Sequence, residues 1–312
     1  MSAAIFLIIL IFSMTSCVSV EREIMYPLKY PVVLVHGIVA HDRQGRVDFW
    51  GRIPQTLKER GYKVFFGNTD ALGDYESNAE ILKTTIEKIL RETNQEKVNI
   101  IAHSKGGIDS RYLIWKYNFG DKVASLTTIS TPHHGAELAD LLYKQGAIRA
   151  NAAMGVLNTI GELSGDSNLG PYVSHQVKTT VRDALEILGK FYGDKNPNLF
   201  KLNYQLTTEN MKQFNETVEM DPRVYYQSMY TTMNNSFDEL MFFYTYRYID
   251  KISGRNDGVV SKKSAEWGNN IIEIKGGISH IEIIDFKKRK ISGIDIPSIY
   301  VGIVNELGKK GF

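Results

Sequence analysis

Cysteine is nearly absent: Cys17 is the only one in 312 residues. The folded chain can therefore hold no internal disulfide. An excess of charge of one sign is absent too. The net charge is +2, which excludes an electrostatic role in nucleic-acid binding, since that needs a basic surface. The run Lys287-Lys288-Arg289-Lys290 reads as a solvated turn, ahead of a patch for anionic lipid. The apolar run at residues 5–12, extended by Met14, is too short to cross a bilayer comfortably. No internal repeat and no low-complexity linker divides the chain. Hydrophobic residues nevertheless make up 43% of it, enough to bury the core of one large α/β domain.

The short apolar run has the character of a signal-peptide core, although no Lys or Arg precedes it. Met14-Thr15-Ser16-Cys17 follows. This resembles a bacterial lipobox, in which the cysteine is lipidated and becomes the first mature residue. The expectation is a signal peptide over residues 1–16, a tether over 17–29 and a folded domain over 30–312. The protein would be exported and held at the membrane of the cell envelope through Cys17, with secretion as the alternative.

Chemistry points to residues 97–107. An apolar β-rich run, Val98-Asn99-Ile100-Ile101-Ala102, meets His103-Ser104-Lys105-Gly106-Gly107, and a helix-like stretch follows over residues 108–117. Strand, serine and helix in this order make a nucleophile elbow. So sharp a turn brings the backbone on either side close together, so the positions two before and two after the serine must be small. Ala102 and Gly106 occupy them; alanine replaces the first glycine of the usual G-x-S-x-G.

Around this elbow, strands and helices alternate. Residues 31–35 form a β-branched apolar run typical of a buried parallel strand. It ends in His36-Gly37-Ile38, where backbone N–H groups are exposed at the carboxyl end of the sheet. His36 reads as a structural loop residue, and the oxyanion donor is the backbone of Ile38. A helix is expected over 49–60, a strand over 62–66, a helix over 78–92 and a strand over 123–130. This pitch predicts a mostly parallel sheet with helices on both faces. Residues 136–202 read as a helical insertion without a clear strand. β character resumes over 224–232; residues 242–249 are aromatic and β-branched, the composition of a strand. A strand over 271–274 and a helix from Pro297 to about residue 307 complete the domain.

Serine needs a base, and the base needs an acid to orient it. The seven histidines are His36, His41, His103, His133, His134, His175 and His280. On such a sheet the order is Ser, acid, His. His103 adjoins Ser104 and cannot easily fold back onto its hydroxyl. His133 and His134 precede every late acidic residue. His280 alone follows the last strand with turn-borne acids before it. Asp257, in Asn256-Asp257-Gly258, fits the acid, with Asp250 as runner-up.

Taken together, Tyr30-Pro31-Val32-Val33-Leu34-Val35-His36-Gly37, the elbow, Thr131-Pro132-His133-His134-Gly135, Asn256-Asp257-Gly258-Val259-Val260-Ser261 and Ser279-His280-Ile281-Glu282 resemble a known family. This is the Pseudomonas/Burkholderia/Proteus type of bacterial true lipase, within the α/β-hydrolase superfamily. The resemblance implies an α/β-hydrolase fold, a serine carboxylic-ester hydrolase acting on triacylglycerol, and Ser104, Asp257 and His280 as nucleophile, acid and base. It also implies backbone N–H groups of Ile38 and Lys105 as the oxyanion hole, and a lid in the insertion, where residues 147–165 carry an apolar helical stripe. Short-chain esterase, phospholipase and acyltransferase are alternatives on the same triad, and a non-catalytic envelope scaffold is the alternative of another class. The partner expected is a lipid ester at a membrane or droplet surface; nothing in the sequence assigns a folding chaperone. No cofactor enters the chemistry. A structural calcium is implied, with Glu282 in the place of the family's aspartate two residues after the histidine and Asp238 as its partner.

Overall fold

The computed structural model describes residues 25–38, 41, 49–144 and 193–312. The expected signal run, Cys17 and the apolar stripe at 147–165 lie outside these residues. Six strands pair in parallel: β1 (Val32–Val35), β2 (Val64–Phe66), β3 (Val98–His103), β4 (Val123–Ile129), β5 (Tyr225–Thr231) and β6 (Ile271–Ile274), in the order β2-β1-β3-β4-β5-β6. Successive strand residues point to opposite faces, and over β1, β3 and β4 both faces are covered. Val32, Leu34 and Ile101 pack with Ile53 and Leu57 of α1 (Ile53–Glu59) and with Tyr300, Val301 and Val304 of α9 (Ile296–Lys309). Val33, Val35, Ile100 and Ala102 pack with Ala79, Leu82 and Ile86 of α2 (Tyr75–Thr93) and with Leu113 and Ile114 of α3 (Lys105–Lys116). Double burial explains why β1 reads as an unbroken apolar run instead of an alternating one.

Several boundaries differ from the sequence reading, each for a local reason. Helix α1 starts at Ile53 because Pro54 suits the first turn and Gly51 just before it takes a positive φ. Helix α2 starts three residues early because the Asp74 carboxylate accepts from the amides of Glu76 and Ser77. The larger correction is at residues 242–249. They lie in a short 3-10 turn (Leu240–Phe242) and in α7 (Phe243–Ser253), not in a strand. Of α7 only Ile249 is fully buried; the single apolar contact line of a surface helix overrides the β-forming composition. Among the described residues, α4 (Glu137–Lys144) opens the insertion expected over 136–202, α5 (Leu199–Gln205) spans its end, α6 (Thr208–Thr217) follows it, and α8 (Lys262–Ala265) follows the Asp257 turn. No helix of the described residues is long and apolar enough to cross a membrane.

Where the chain returns from the insertion, two aspartates clasp two loops reciprocally. Asp194 accepts from the amides of Ala71 (2.8 Å) and Leu72 (2.9 Å), while Asp70 accepts from those of Lys195 (2.9 Å) and Asn196 (2.8 Å). The His41 Nε2 lies 2.8 Å from Asp194.

Two histidines at the carboxyl ends of the central strands are buried and neutral. Arg111 has no acceptor, so its Nη1–H donates to His133 Nδ1 (3.1 Å). The His133 proton therefore sits on Nε2 and donates to Thr128 Oγ1 (2.9 Å). Burial, then the Arg111 charge, hold His133 well below the ordinary 6.5. For His103, burial and then His280 do the same. Below pH 6.5 the unfolded chain binds these protons and the folded chain does not, so stability is full above that pH and falls beneath it. Each group contributes a slope of about 1.4 kcal/mol per pH unit. Urea midpoints should therefore drop between pH 7 and pH 6, while imidazole nitrogen shifts show both rings still neutral in the folded protein at pH 6.

Candidate active site

The elbow turns in a single residue. Ser104, directly between β3 and α3, has φ 54° and ψ −133°, a conformation costing a non-glycine residue on the order of 1–3 kcal/mol. Its amide donates to Ile129 O (2.9 Å), and Gly107 N donates back to Ser104 O (3.0 Å). The small neighbours have a measurable reason. A Cβ on Gly106 would stand 2.4 Å from His36 O and 2.6 Å from Val35 O, and one on Gly37 2.8 Å from Ser104 Cβ. The end of β1 thus touches the elbow because neither glycine carries a side chain, and Ala102 is fully buried beside them. Lys105 is the first residue of α3, so its N–H has no partner within the helix. Its ammonium is buried and paired with Asp109 (2.7 Å), which also accepts from Asn78 Nδ2 (2.9 Å). The side chain is thereby committed to α3 and α2.

Ser104, His280 and Asp257 come together from three loops, all buried. The His280 Nε2 is 3.0 Å from Ser104 Oγ, and its Nδ1 is 2.8 Å from Asp257 Oδ2. The remaining Asp257 oxygen accepts from the amides of Val259 (3.0 Å) and Val260 (2.8 Å), and Asp257 O accepts from His280 N (2.9 Å). With the carboxylate so satisfied, Nδ1–H points at Asp257 and Nε2 is free to take the serine proton. Asp250, the runner-up, lies exposed on α7. The His36 ring bonds Gly37 O (2.6 Å) and Thr69 O (3.0 Å), a loop-holding role. Ile38 follows, half-buried, at the end of β1.

Sequence reasoning set His103 aside, yet its Nε2–H donates to His280 O (3.1 Å), and the two rings are 4.5 Å apart. Further supports lie on the histidine loop. Asp285 accepts from Arg52 N (2.8 Å), Nε (2.8 Å) and Nη2 (2.7 Å). Tyr300 Oη donates to Ile283 O (3.0 Å). The Lys287 ammonium reaches Glu282 Oε1 (3.1 Å) and Glu239 Oε2 (2.5 Å), so Lys287, in its turn, is half-buried and ion-paired where the sequence reading had it solvated; Lys288, Arg289 and Lys290 are exposed as expected.

The implied calcium finds a poor fit. Calcium takes six to eight oxygens. Glu282 is bonded to Ser279 N (3.1 Å) and to Lys287, whereas Asp238 accepts from Asn234 N (2.6 Å) and Asn235 Nδ2 (3.1 Å) within its own turn. Among the described residues, no group of three or more His, Cys, Asp or Glu side chains is arranged to hold a metal ion.

Comparison with known proteins bears on the family and the fold. A triacylglycerol lipase of Pseudomonas fragi is 37% identical over 114 residues, 36% of this chain and 38% of that one. Triacylglycerol lipase 2 of Saccharomyces cerevisiae is 27% identical over 285 residues, covering 85% of this chain and 75% of the yeast protein. The Pseudomonas match thus spans less than half of either chain. The Staphylococcus hyicus lipase structure superposes with a TM-score of 0.63 at 19% identity, over 92% of this chain and 98% of its own, which speaks to fold. The alpha/beta hydrolase fold family matches residues 30–259, well over half of the sequence and inclusive of the elbow and the Asp257 turn. The chain belongs to the α/β hydrolase fold family.

Proposed function

We propose that this protein is a serine carboxylic-ester hydrolase that acts on lipid esters through Ser104, His280 and Asp257. The observation that carries the reading is the continuous hydrogen-bonded path from Ser104 Oγ through His280 to Asp257, at 3.0 and 2.8 Å, on a strained elbow. Support for lipid esters as the substrate class comes from the relatives named triacylglycerol lipases.

In this reading His280 Nε2 takes the Ser104 proton as Oγ attacks the ester carbonyl carbon. The carbonyl oxygen becomes an oxyanion held by the N–H groups of Ile38 and Lys105, each contributing about 3 kcal/mol to the transition state. The carbonyl re-forms, the C–O bond to the alcohol breaks, and the alcohol leaves with the proton from His280. Water then attacks the acyl-Ser104 ester, giving its proton to His280; collapse releases the acid and returns the proton to Oγ. Asp257 keeps Nδ1–H in place and stabilises the imidazolium without taking its proton. The lipobox-like Met14-Thr15-Ser16-Cys17 supports a lipid-anchored form at a membrane, near such substrates.

Ser104→Ala should lower kcat on the order of a millionfold with an unchanged circular dichroism spectrum. Asp257→Asn should lower it about ten-thousandfold, while Asp250→Asn stays close to wild type. A fluorophosphonate probe should label the wild type at Ser104; a folded, unlabelled wild type would favour a non-catalytic scaffold. A chain-length series of p-nitrophenyl esters, glycerides and phospholipids separates lipase from esterase and phospholipase. For the anchor, Cys17→Ser should abolish incorporation of labelled palmitate, and equal incorporation in both proteins would refute it.

A further inference from the structure

We propose that Lys287 is a positioning residue for catalysis, its ammonium acting as a built-in cation that ties the loop carrying His280 to the segment that supports the Asp257 turn. The proposal rests on the triad reading above. Its own foundation is a cluster that the reaction itself does not use.

Glu282 and Glu239 come from segments over forty positions apart in sequence, and both are buried, at 3% and 7% exposure. A buried carboxylate needs a paired charge or it must give up its ionisation. Lys287 serves both, 3.1 Å from Glu282 Oε1 and 2.5 Å from Glu239 Oε2. Burial pulls the lysine pKa down, but the contacts of its ammonium with the Glu239 and Glu282 carboxylates outweigh that and leave it raised, so the ammonium is charged at neutral pH.

Each carboxylate leads to one half of the site. The other Glu282 oxygen accepts from Ser279 N (3.1 Å), and Glu282 N donates to Ser279 O (3.1 Å). This tight turn carries His280. Glu239 precedes the short turn Leu240–Phe242. A Cβ on Gly258 would stand 2.6–2.7 Å from side-chain atoms of Phe242, so that turn packs against the residue next to Asp257. One ammonium thus bridges the supports of base and acid. Without it, the link between the two segments is lost and two buried carboxylates face the same space; neutralising one of them relieves the repulsion but does not restore the link. A shift of His280 by about 1 Å is enough to lower kcat on the order of a hundredfold.

The test uses the full chain, with Lys287→Ala, Lys287→Arg, Glu282→Gln and the double variant Lys287→Ala/Glu282→Gln. Lys287→Ala should lower kcat on a soluble p-nitrophenyl ester about tenfold to a hundredfold, with KM within about twofold. Lys287→Arg should recover most of that loss. Because Lys287→Ala leaves two carboxylates at one site, millimolar calcium chloride should raise its melting temperature by about 2–4 °C and partly restore kcat, while chelator and calcium leave the wild type unchanged. Glu282→Gln in the Lys287→Ala background should recover folding without recovering kcat, which keeps the test decisive if Lys287→Ala alone unfolds. Wild-type kcat in a folded Lys287→Ala or double variant overturns the proposal, as does a change confined to KM or an equal response of wild type and Lys287→Ala to calcium. A readout independent of turnover separates this failure from failure of the hydrolase reading. The Nδ1–H proton of His280, bonded to Asp257, should be slow to exchange in the wild type by NMR and fast in Lys287→Ala. Slow exchange in both overturns the bridge, whatever the activity.

Discussion

The positive φ of Ser104 is the constraint on which the rest of this site depends. A non-glycine residue stays in that region only when its surroundings over-determine it. Here β3 is clamped between β1 and β4, α3 begins at the next residue, and Ser104 N is fixed to Ile129 O. The end of β1 closes in on the elbow through Gly37 and Gly106, with contacts that no side chain would permit. Sheet order, helix start and the His36-Gly37-Ile38 strand end are therefore parts of one steric solution. Alanine is tolerated at residue 102 because its methyl points into the covered face shared with α2 and α3.

His280 is held by different physics. Ser104 is locked by close approach of backbone, whereas the histidine loop is suspended by polar links to distant parts of the chain. His103 bonds the carbonyl of His280, Tyr300 that of Ile283, and Arg52 grips Asp285 through three hydrogen bonds. Of these links the Arg52–Asp285 pair is charged and two-pronged, the kind of bond that fixes orientation most sharply. The links also allow the loop to be irregular, as the positive φ of Asp285 requires.

How much of this the sequence disclosed follows from the range of each interaction. The strands of the sheet core were legible because burial on both faces leaves an unbroken apolar run, as in Val32–Val35. The elbow was legible because its steric demand falls on adjacent positions. His280 and Asp257 could be singled out only by their order along the chain and their turn context. The supports were not legible. Arg52 and Asp285 are 233 positions apart, and nothing local marks either as half of a pair. Lys287 stands in a run of four basic residues, three of which are solvated, so its composition suggested the wrong surroundings. Residues 242–249 failed for the opposite reason: the local signal was present but misleading, because aromatic and β-branched residues on a surface helix mimic a strand.

The reciprocal clasp of Asp70 and Asp194 bears on how this chain can vary. Four backbone amides on two loops are satisfied by two carboxylates, and each carboxylate belongs to the loop whose amides the other holds. Replacing Asp70 strands the amides of Lys195 and Asn196, and replacing Asp194 strands those of Ala71 and Leu72, so the loss of either leaves two backbone donors without their acceptor. Substitution at one of these two positions is therefore constrained by the other, and the pair is under one shared restraint although 124 positions of sequence separate its members.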